Sequence, residues 1–283
     1  MKIGLGSYYL DRYGLEEGAR RMAEDGYNAV DYPLANTNGE LFLAKDDELM
    51  VKIMHIKKTL NAKGLTVEQI HGPWHYPEYT MDGDRAERFE KMTKALVIGW
   101  HLGAKYMAIH PLMPFGVSGE GTTEELRAIN KQFFAALANV AQKLGMYVCL
   151  ENMPFVDFAL STVEQIADFV REVNHPALKM CFDVGHANIF GGRIGEKVRY
   201  ASDLIKIIHV HDNMGDRDNH LIPYEGCVDF ADFAEALFDI GYDGVFNLET
   251  EPVSKKQAEN GMSADEIRAT EKRFADIARL LAG

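Results

Sequence analysis

The chain has 283 residues, 47% of them hydrophobic and 26% charged, with a formal net charge of −13 at pH 7. That balance describes a soluble globular chain able to bury a large core, and an α/β barrel reaches this length as one domain. The acidity excludes a broad electrostatic footprint for nucleic acid, which needs a basic surface, while leaving room for a small phosphorylated substrate.

Met1 leads directly into the strand-like "KIGLGSYYL", with no signal-peptide pattern, and no apolar run approaches a membrane span. From there, short apolar runs alternate with longer helical patterns. Strands are predicted near 2–8, 28–33, 65–71, 106–110, 147–151, 178–183, 205–211 and 244–249. The stretch "TTEELRAINKQFFAALANVAQKLG" opens with a capping box from Thr122 to Glu125. It keeps Leu126, Ile129, Phe133, Leu137, Val140 and Leu144 on one stripe and stops at Gly145. "STVEQIADFV" places Ser161 and Glu164 at the same capping spacing, and the last helical segment repeats it with Ser263 and Glu266. No linker or charge block divides the chain. Eight β-α units predict one (β/α)8 TIM barrel over residues 1–283, with an open doubly wound sheet as the alternative. The odd set Cys149, Cys181 and Cys227 has no ligand-like spacing, so free thiols in a reducing cytoplasm are expected.

Six consecutive predicted strands end on a residue suited to metal or proton chemistry. His71 follows "TVEQI", His110 follows "KYMAI" and Glu151 follows "MYVCL". Asp183 follows "KMCF" with His186 three residues on, His209 follows "IKII", and Glu249 follows "VFNL". In a closed barrel these C-terminal strand ends converge on one rim, where active sites are built. Three carboxylates there repel one another unless a cation or protons intervene, and the admixed histidines favour a divalent cation such as zinc, manganese or cobalt.

Singly, several of these residues have a plainer reading. His71 in "HGPWHYP" and His110 in "AIHPLMP" are also suited to capping turns, and Asp183 to capping a turn beside a hydrogen-bonded His186. Glu151 and Glu249 resist that reading, because a carboxylate ending an apolar strand is costly to desolvate without a partner. In "IIHVHDNMGDRDNH", residues 207–220, His209 is expected to ligate and His211 to sit at the rim or support a ligand. Asp212, Asn213 and Asp216 read as turn and solvent residues, and Asp218 and His220 as joint loop ligands or surface polar groups. Trp74, Phe155, Phe190 and Tyr8 are placed to stack on a sugar ring or merely to pack.

The ordered series "HGPW", "IHP", "LEN", "FDVGHA", "HVHDN…DRDNH", "EGCVDF" and "LET" resembles the xylose-isomerase-like barrel superfamily. That group includes sugar-phosphate isomerases and epimerases, ketose 3-epimerases, inosose-processing enzymes and the apurinic endonuclease IV family. Resemblance to the ketose 3-epimerases implies one metal ion held by Glu151, Asp183, His209 and Glu249, with His186 contacting substrate. Resemblance to the endonucleases implies three zinc ions. His71, His110 and Glu151 would serve the first, Glu151, Asp183, His209 and Glu249 the second, and His186, Asp218 and His220 the third.

The chain departs from both patterns. The loop "YPLANTNGELFLAKDDELM" is acidic and lacks arginine, which removes most of the electrostatic term for duplex DNA. The epimerase-type substrate arginine has no match in place, although Arg217 lies two positions beyond, and Asp157 stands where that pattern has a glutamate. The leading expectation is a divalent-metal-dependent (Mn, Zn, Co or Mg) isomerase or epimerase of a small sugar, sugar phosphate or polyol. Proton transfer would run through an enediolate, with Glu151 and Glu249 as acid/base pair and His186, Arg217 and Trp74 binding substrate. The alternative is a multinuclear zinc phosphodiesterase, and a metal-binding barrel without catalysis is a third reading. Barrels of this type often pair, so a homo-oligomer is expected, although no interface stripe marks where.

Overall fold

Each apolar run becomes a strand, and each strand returns to the next through at least one helix. The computed structural model describes residues 1–73, 85–112, 123–156, 159–254, 257 and 261–283. The strands are β1 (Lys2–Leu5), β2 (Ala29–Pro33), β3 (Thr66–His71), β4 (Tyr106–Ile109), β5 (Tyr147–Glu151), β6 (Leu178–Asp183), β7 (Ile205–Val210) and β8 (Val245–Leu248). Between them run α1 (Tyr8–Tyr13), α2 (Leu15–Glu24), α3 (Glu40–Leu43), α4 (Asp46–Asn61), α5 (Arg85–Leu102) and α6 (Thr123–Leu144). The second half carries α7 (Val163–Val173), α8 (Val184–Ile189), α9 (Ile194–Ala201), α10 (Phe230–Asp239) and α11 (Ala264–Ala282).

All neighbouring strands pair in parallel, and β8 returns to β1, closing the (β/α)8 TIM barrel. The open doubly wound sheet is thereby excluded, since its edge strands would stay unpaired. Outward-facing residues such as Val148, Leu150, Met180 and Phe182 pack under the helices in one continuous core. Among the described residues no helix is long and apolar enough to cross a membrane.

Two local expectations shift. β1 ends at Leu5, because Tyr8 and Tyr9 open α1 instead of extending the strand; Tyr9 is fully buried and its hydroxyl donates to Asp25 at 2.6 Å. Tertiary packing there overrides the strand preference of tyrosine. At α7 the capping box is Thr162 with Gln165, one residue beyond Ser161 and Glu164. "STVEQ" contains two overlapping boxes, and the Gln165 side-chain oxygen accepts from both Ser161 N and Thr162 N. The box at Ser263 and Glu266 forms as expected. Thr122 lies outside the described residues; Gly145 ends α6 in the left-handed region at φ +69°.

Candidate metal centre

The period-two alternation of strands decides which residues reach the barrel axis. Ala108, Cys149, Cys181 and Ile207, from β4 to β7, form a buried layer inside the barrel. Two residues further along the same strands, on the same face, stand His110, Glu151, Asp183 and His209. His71 ends β3, and Glu249 lies one residue past β8. Register sets Asp183 directly beside His209, and His209 beside Asn247.

Among the described residues, four groups offer ligand atoms lying within 4.8 Å of one another. The central group is Glu151, Asp183, His209 and Glu249, and a second, His71, His110 and Glu151, shares Glu151 with it. A third is His186, His211, Asp218 and His220, and Cys181 approaches Glu151 and His209 in a fourth. His209 Nδ1 lies 3.0 Å from Glu151 Oε1 and 3.2 Å from Glu249 Oε2. Glu151 Oε2 is 3.4 Å from both His71 Nε2 and His110 Nε2. Asp218 Oδ2 is 3.2 Å from His186 Nε2 and 3.1 Å from His220 Nε2.

The hydrogen bonds behind these rings set their tautomers. Nδ1 of His71, His186 and His220 lies 2.9, 2.8 and 2.6 Å from the carbonyl oxygens of Gly72, Asn152 and Glu249. A carbonyl only accepts, so each Nδ1 carries the hydrogen, and in the neutral ring Nε2 presents a lone pair to the cavity. His209 is turned the other way. Its Nε2 lies 3.1 Å from Asp31 Oδ2, leaving Nδ1 toward Glu151 and Glu249. Asp31 Oδ2 also accepts from Gln69 Nε2 at 2.9 Å and Asn247 Nδ2 at 3.2 Å. A register shift between Val30 and Asp31 marks a β-bulge, the usual device for re-aiming a side chain beside a site.

The donor set fits a divalent cation. Glu151 Oε2 and Glu249 Oε2 are buried and make no well-aligned hydrogen bond among the described residues, with only histidine nitrogens 3.2–3.4 Å away. Buried carboxylate oxygens so incompletely satisfied are expensive, and a cation removes that cost. The titration behaviour points the same way. Burial pushes the Glu151 carboxyl upward, but His209, His110 and His71 reverse this and hold it well below the ordinary range. Burial disfavours the His209 imidazolium, yet Cys181, Glu249, Glu151 and Asp31 raise it well above its usual value. For His186, burial is likewise overcome by Asp183, Asp218 and Glu151, which lift its pKa to about 10. The apo arrangement therefore holds protons on histidines where a metal centre would hold positive charge.

Several residues differ from the sequence reading. Of the two places expected for His211, the rim is not taken and the support of Asp183 is. His211 is fully buried, its Nε2 lies 3.1 Å from Asp183 Oδ1, and its ring stacks on His220 at 4.0 Å. Gly185 makes this placement feasible, since a Cβ there would stand 2.0 Å from His211 Cε1. Asp212 and Asn213 are not solvent residues. Both are fully buried, and the Asp212 carboxylate accepts from the backbone N–H groups of Asn213, Tyr224, Gly226 and Val228. That loop returns on itself, which local turn preferences do not reveal. Asp183 both caps α8, accepting from His186 N at 2.6 Å, and belongs to the central group, so the two readings of it coexist. Asn152 exchanges hydrogen bonds of 2.9 Å with the Asp183 backbone, tying the tips of β5 and β6.

Arg217 is three-quarters exposed, with Nε 3.5 Å from Asp216 Oδ2, and Asp216 is also exposed. Phe155 lies on the wall of the cavity of about 210 Å³ that holds Glu151, His186 and Glu249. Trp74 and Asp157 lie outside the described residues.

This arrangement, a closed parallel barrel with carboxylates and histidines gathered on its C-terminal rim, defines a (β/α)8 TIM barrel with a polar cluster where such barrels build their sites. The family model of xylose isomerase-like TIM barrels matches residues 19–273, and the chain belongs to that family. An uncharacterized protein of Methanocaldococcus jannaschii is 31% identical over 178 residues, covering 59% of each chain. A D-psicose 3-epimerase of Ruminiclostridium cellulolyticum is 32% identical over 114 residues, 40% of this chain and 37% of that protein. These alignments thus span less than two thirds of the relatives' lengths. In fold, the chain matches D-psicose 3-epimerase with D-tagatose from Clostridium cellulolyticum H10 at a TM-score of 0.80, with 19% identity and 99% of both chains covered. It also matches the IOLI protein with a binding zinc atom at a TM-score of 0.78, with 17% identity and 98% of both covered.

Proposed function

We propose that the protein is a divalent-metal-dependent isomerase or epimerase of a small carbohydrate. The observation that carries this reading is the central group: Glu151, Asp183, His209 and Glu249, from four adjacent strands, present ligand atoms within 4.8 Å of one another. Relatives named as D-psicose 3-epimerases and inosose isomerases support the substrate class. Glu151, Asp183, His209 and Glu249 would hold the ion, and His209 is oriented for this by Asp31. When bound, a divalent cation supplies Lewis acidity that makes a carbon beside a carbonyl easier to deprotonate.

The remaining chemistry belongs to the chain's own residues. Glu151 and Glu249 form the acid/base pair, one removing the proton from the carbon between carbonyl and hydroxyl and the other returning it. Their depressed pKa values keep both ionised at neutral pH, so as bases they are weak. His186, fixed by the Asn152 carbonyl and Asp218, orients a substrate oxygen. Met153, Pro154 and Phe155 line the wall and limit water.

A second reading, a multinuclear hydrolase of phosphate esters, draws on the two additional ligand groups, His71 with His110, and His186 with His211, Asp218 and His220. The net charge of −13 weighs against a nucleic-acid substrate. Proton NMR in heavy water against ketoses, sugar phosphates and inososes separates the two. Metal-dependent deuterium entry beside a carbonyl is expected; its absence, with phosphate-ester cleavage and three bound zinc ions, would favour the hydrolase.

A further inference from the structure

Helix α4 (Asp46–Asn61) carries two apolar stripes, although a helix on the outside of a barrel needs only one. Leu49, Ile53, Ile56 and Leu60 recur at the helical period and are buried in the core. The opposite face should be polar throughout, yet its centre holds Val51 and Met54, 70% and 57% exposed. Single exposed apolar residues are ordinary. These two are neighbours on the helix surface and are bracketed by charge. Exposed Asp47 lies one turn before Val51 and exposed Lys58 one turn after Met54, so the four form one line along the solvent face.

The charges between the two ends of that line are already committed. Lys52 pairs with Glu40 and lies 3.5 Å from Glu48, and His55 Nε2 lies 3.4 Å from Glu16 Oε1 on α2. Lys57 Nζ donates to the His101 carbonyl at 3.0 Å. Asp47 and Lys58, by contrast, form no ion pair among the described residues.

From this pattern we infer that α4 docks a second copy of this chain, the two helices running antiparallel across a two-fold axis. The Asp47/Lys58 and Val51/Met54 pairs share one midpoint, between Lys52 and Ile53. An axis there sets each Val51 against Met54 of the other copy and each Asp47 against its Lys58, over a span of about 17 Å. A parallel pairing would oppose like charges at both ends. A two-fold interface requires this kind of self-complementarity. Trp100, 47% exposed on α5 and adjacent to the His101 that Lys57 reaches, adds an apolar flank at the C-terminal end of α4. None of these residues belongs to the metal groups, so the inference stands apart from the isomerase reading. One helix pair with a flank lies at the small end of specific interfaces, and a dimer dissociating in the micromolar range is expected.

Sedimentation velocity of the full chain over a micromolar concentration series should show a monomer–dimer equilibrium. Asp47→Lys alone and Lys58→Asp alone each place like charges together twice per dimer and should raise Kd at least about tenfold. The double variant restores opposite charges across the axis and should return Kd to within about threefold of the unaltered chain. That rescue is specific to the antiparallel register, and Met54→Glu, with a carboxylate at the apolar centre, should abolish the dimer. Circular dichroism checks that each variant, altered only at exposed positions, keeps its fold. A chain that stays monomeric, as it would if α4 received a different protein, overturns the inference. So does a dimer indifferent to Met54→Glu, or a folded double variant that associates no better than the single ones.

Discussion

Asp31 offers the most discriminating perturbation, because it holds the metal-facing geometry without lining the cavity. Its Oδ2 takes hydrogen bonds from the Gln69 and Asn247 side-chain amides and faces His209 Nε2 at 3.1 Å. Asp31→Ala leaves three buried donors unmet, each costing about 1–3 kcal/mol, so the apo protein should unfold at markedly lower temperature. Asp31→Asn keeps the volume and one acceptor oxygen but removes the charge that fixes the His209 tautomer. Changes to groups behind a ligating histidine typically cost about 10–100-fold in metal affinity. The expected result for Asp31→Asn is therefore a Kd for manganese or zinc raised by that factor, about 1.4–2.7 kcal/mol. Chelator competition measures the affinity, and thermal unfolding of the apo form checks that the fold persists. Unchanged affinity in a well-folded Asp31→Asn would refute the claim that this carboxylate aims His209 at the ion.

Glu249→Gln should lower kcat by about 10²–10⁴ while circular dichroism and apo melting temperature stay near those of the unaltered protein; full activity would remove Glu249 from the mechanism. The pH response should change sign with metal. The folded pKa values of about 10 for His186 and about 9 for His220 lie above the ordinary 6.5 or so. Their contribution to apo stability is thus complete below about pH 6.5 and lost as pH rises toward about 10. Melting curves in chelator should decline over that window, whereas metal-loaded protein should gain stability from pH 6 to about 8, because ligation requires deprotonated histidines. An apo melting temperature that climbs from pH 7 to about 10 would contradict the assignment. Gly185→Ala forces a Cβ against the His211 ring and should cost about 1–3 kcal/mol, read from chemical denaturation. Asp212→Ala leaves four backbone N–H groups without their acceptor and should destabilise more than Gly185→Ala, a ranking the same denaturation series checks.

Strand parity made much of the site legible in the sequence. Glu151, Asp183 and His209 lie two positions beyond Cys149, Cys181 and Ile207 on inward-facing runs, so ordinary alternation brings them to one rim. What stayed hidden depends on departures from that alternation or on chain folding at long range. Asp31 sits within "AVDYP" and reaches His209 across 178 positions beside a bulge that no residue pattern announces. His211, two positions past His209, is inward by that same alternation; what no pattern announces is that Gly185, on another strand's trailing helix, leaves room for its ring. Asp212 is buried by the returning segment from Leu221 to Val228, whose backbone it organises. The misplaced cap at α7 has a simpler origin, two overlapping boxes that only the backbone angles of Thr162 resolve.

The most direct measurement is an anomalous-difference map from crystals grown with excess manganese, accompanied by elemental analysis of the same preparation. The account predicts a peak bounded by the Glu151, Asp183 and Glu249 carboxylates and His209 Nδ1, with Asp31 still beside His209 Nε2. Those four side chains diverging, with no peak among them and no manganese retained, would contradict it.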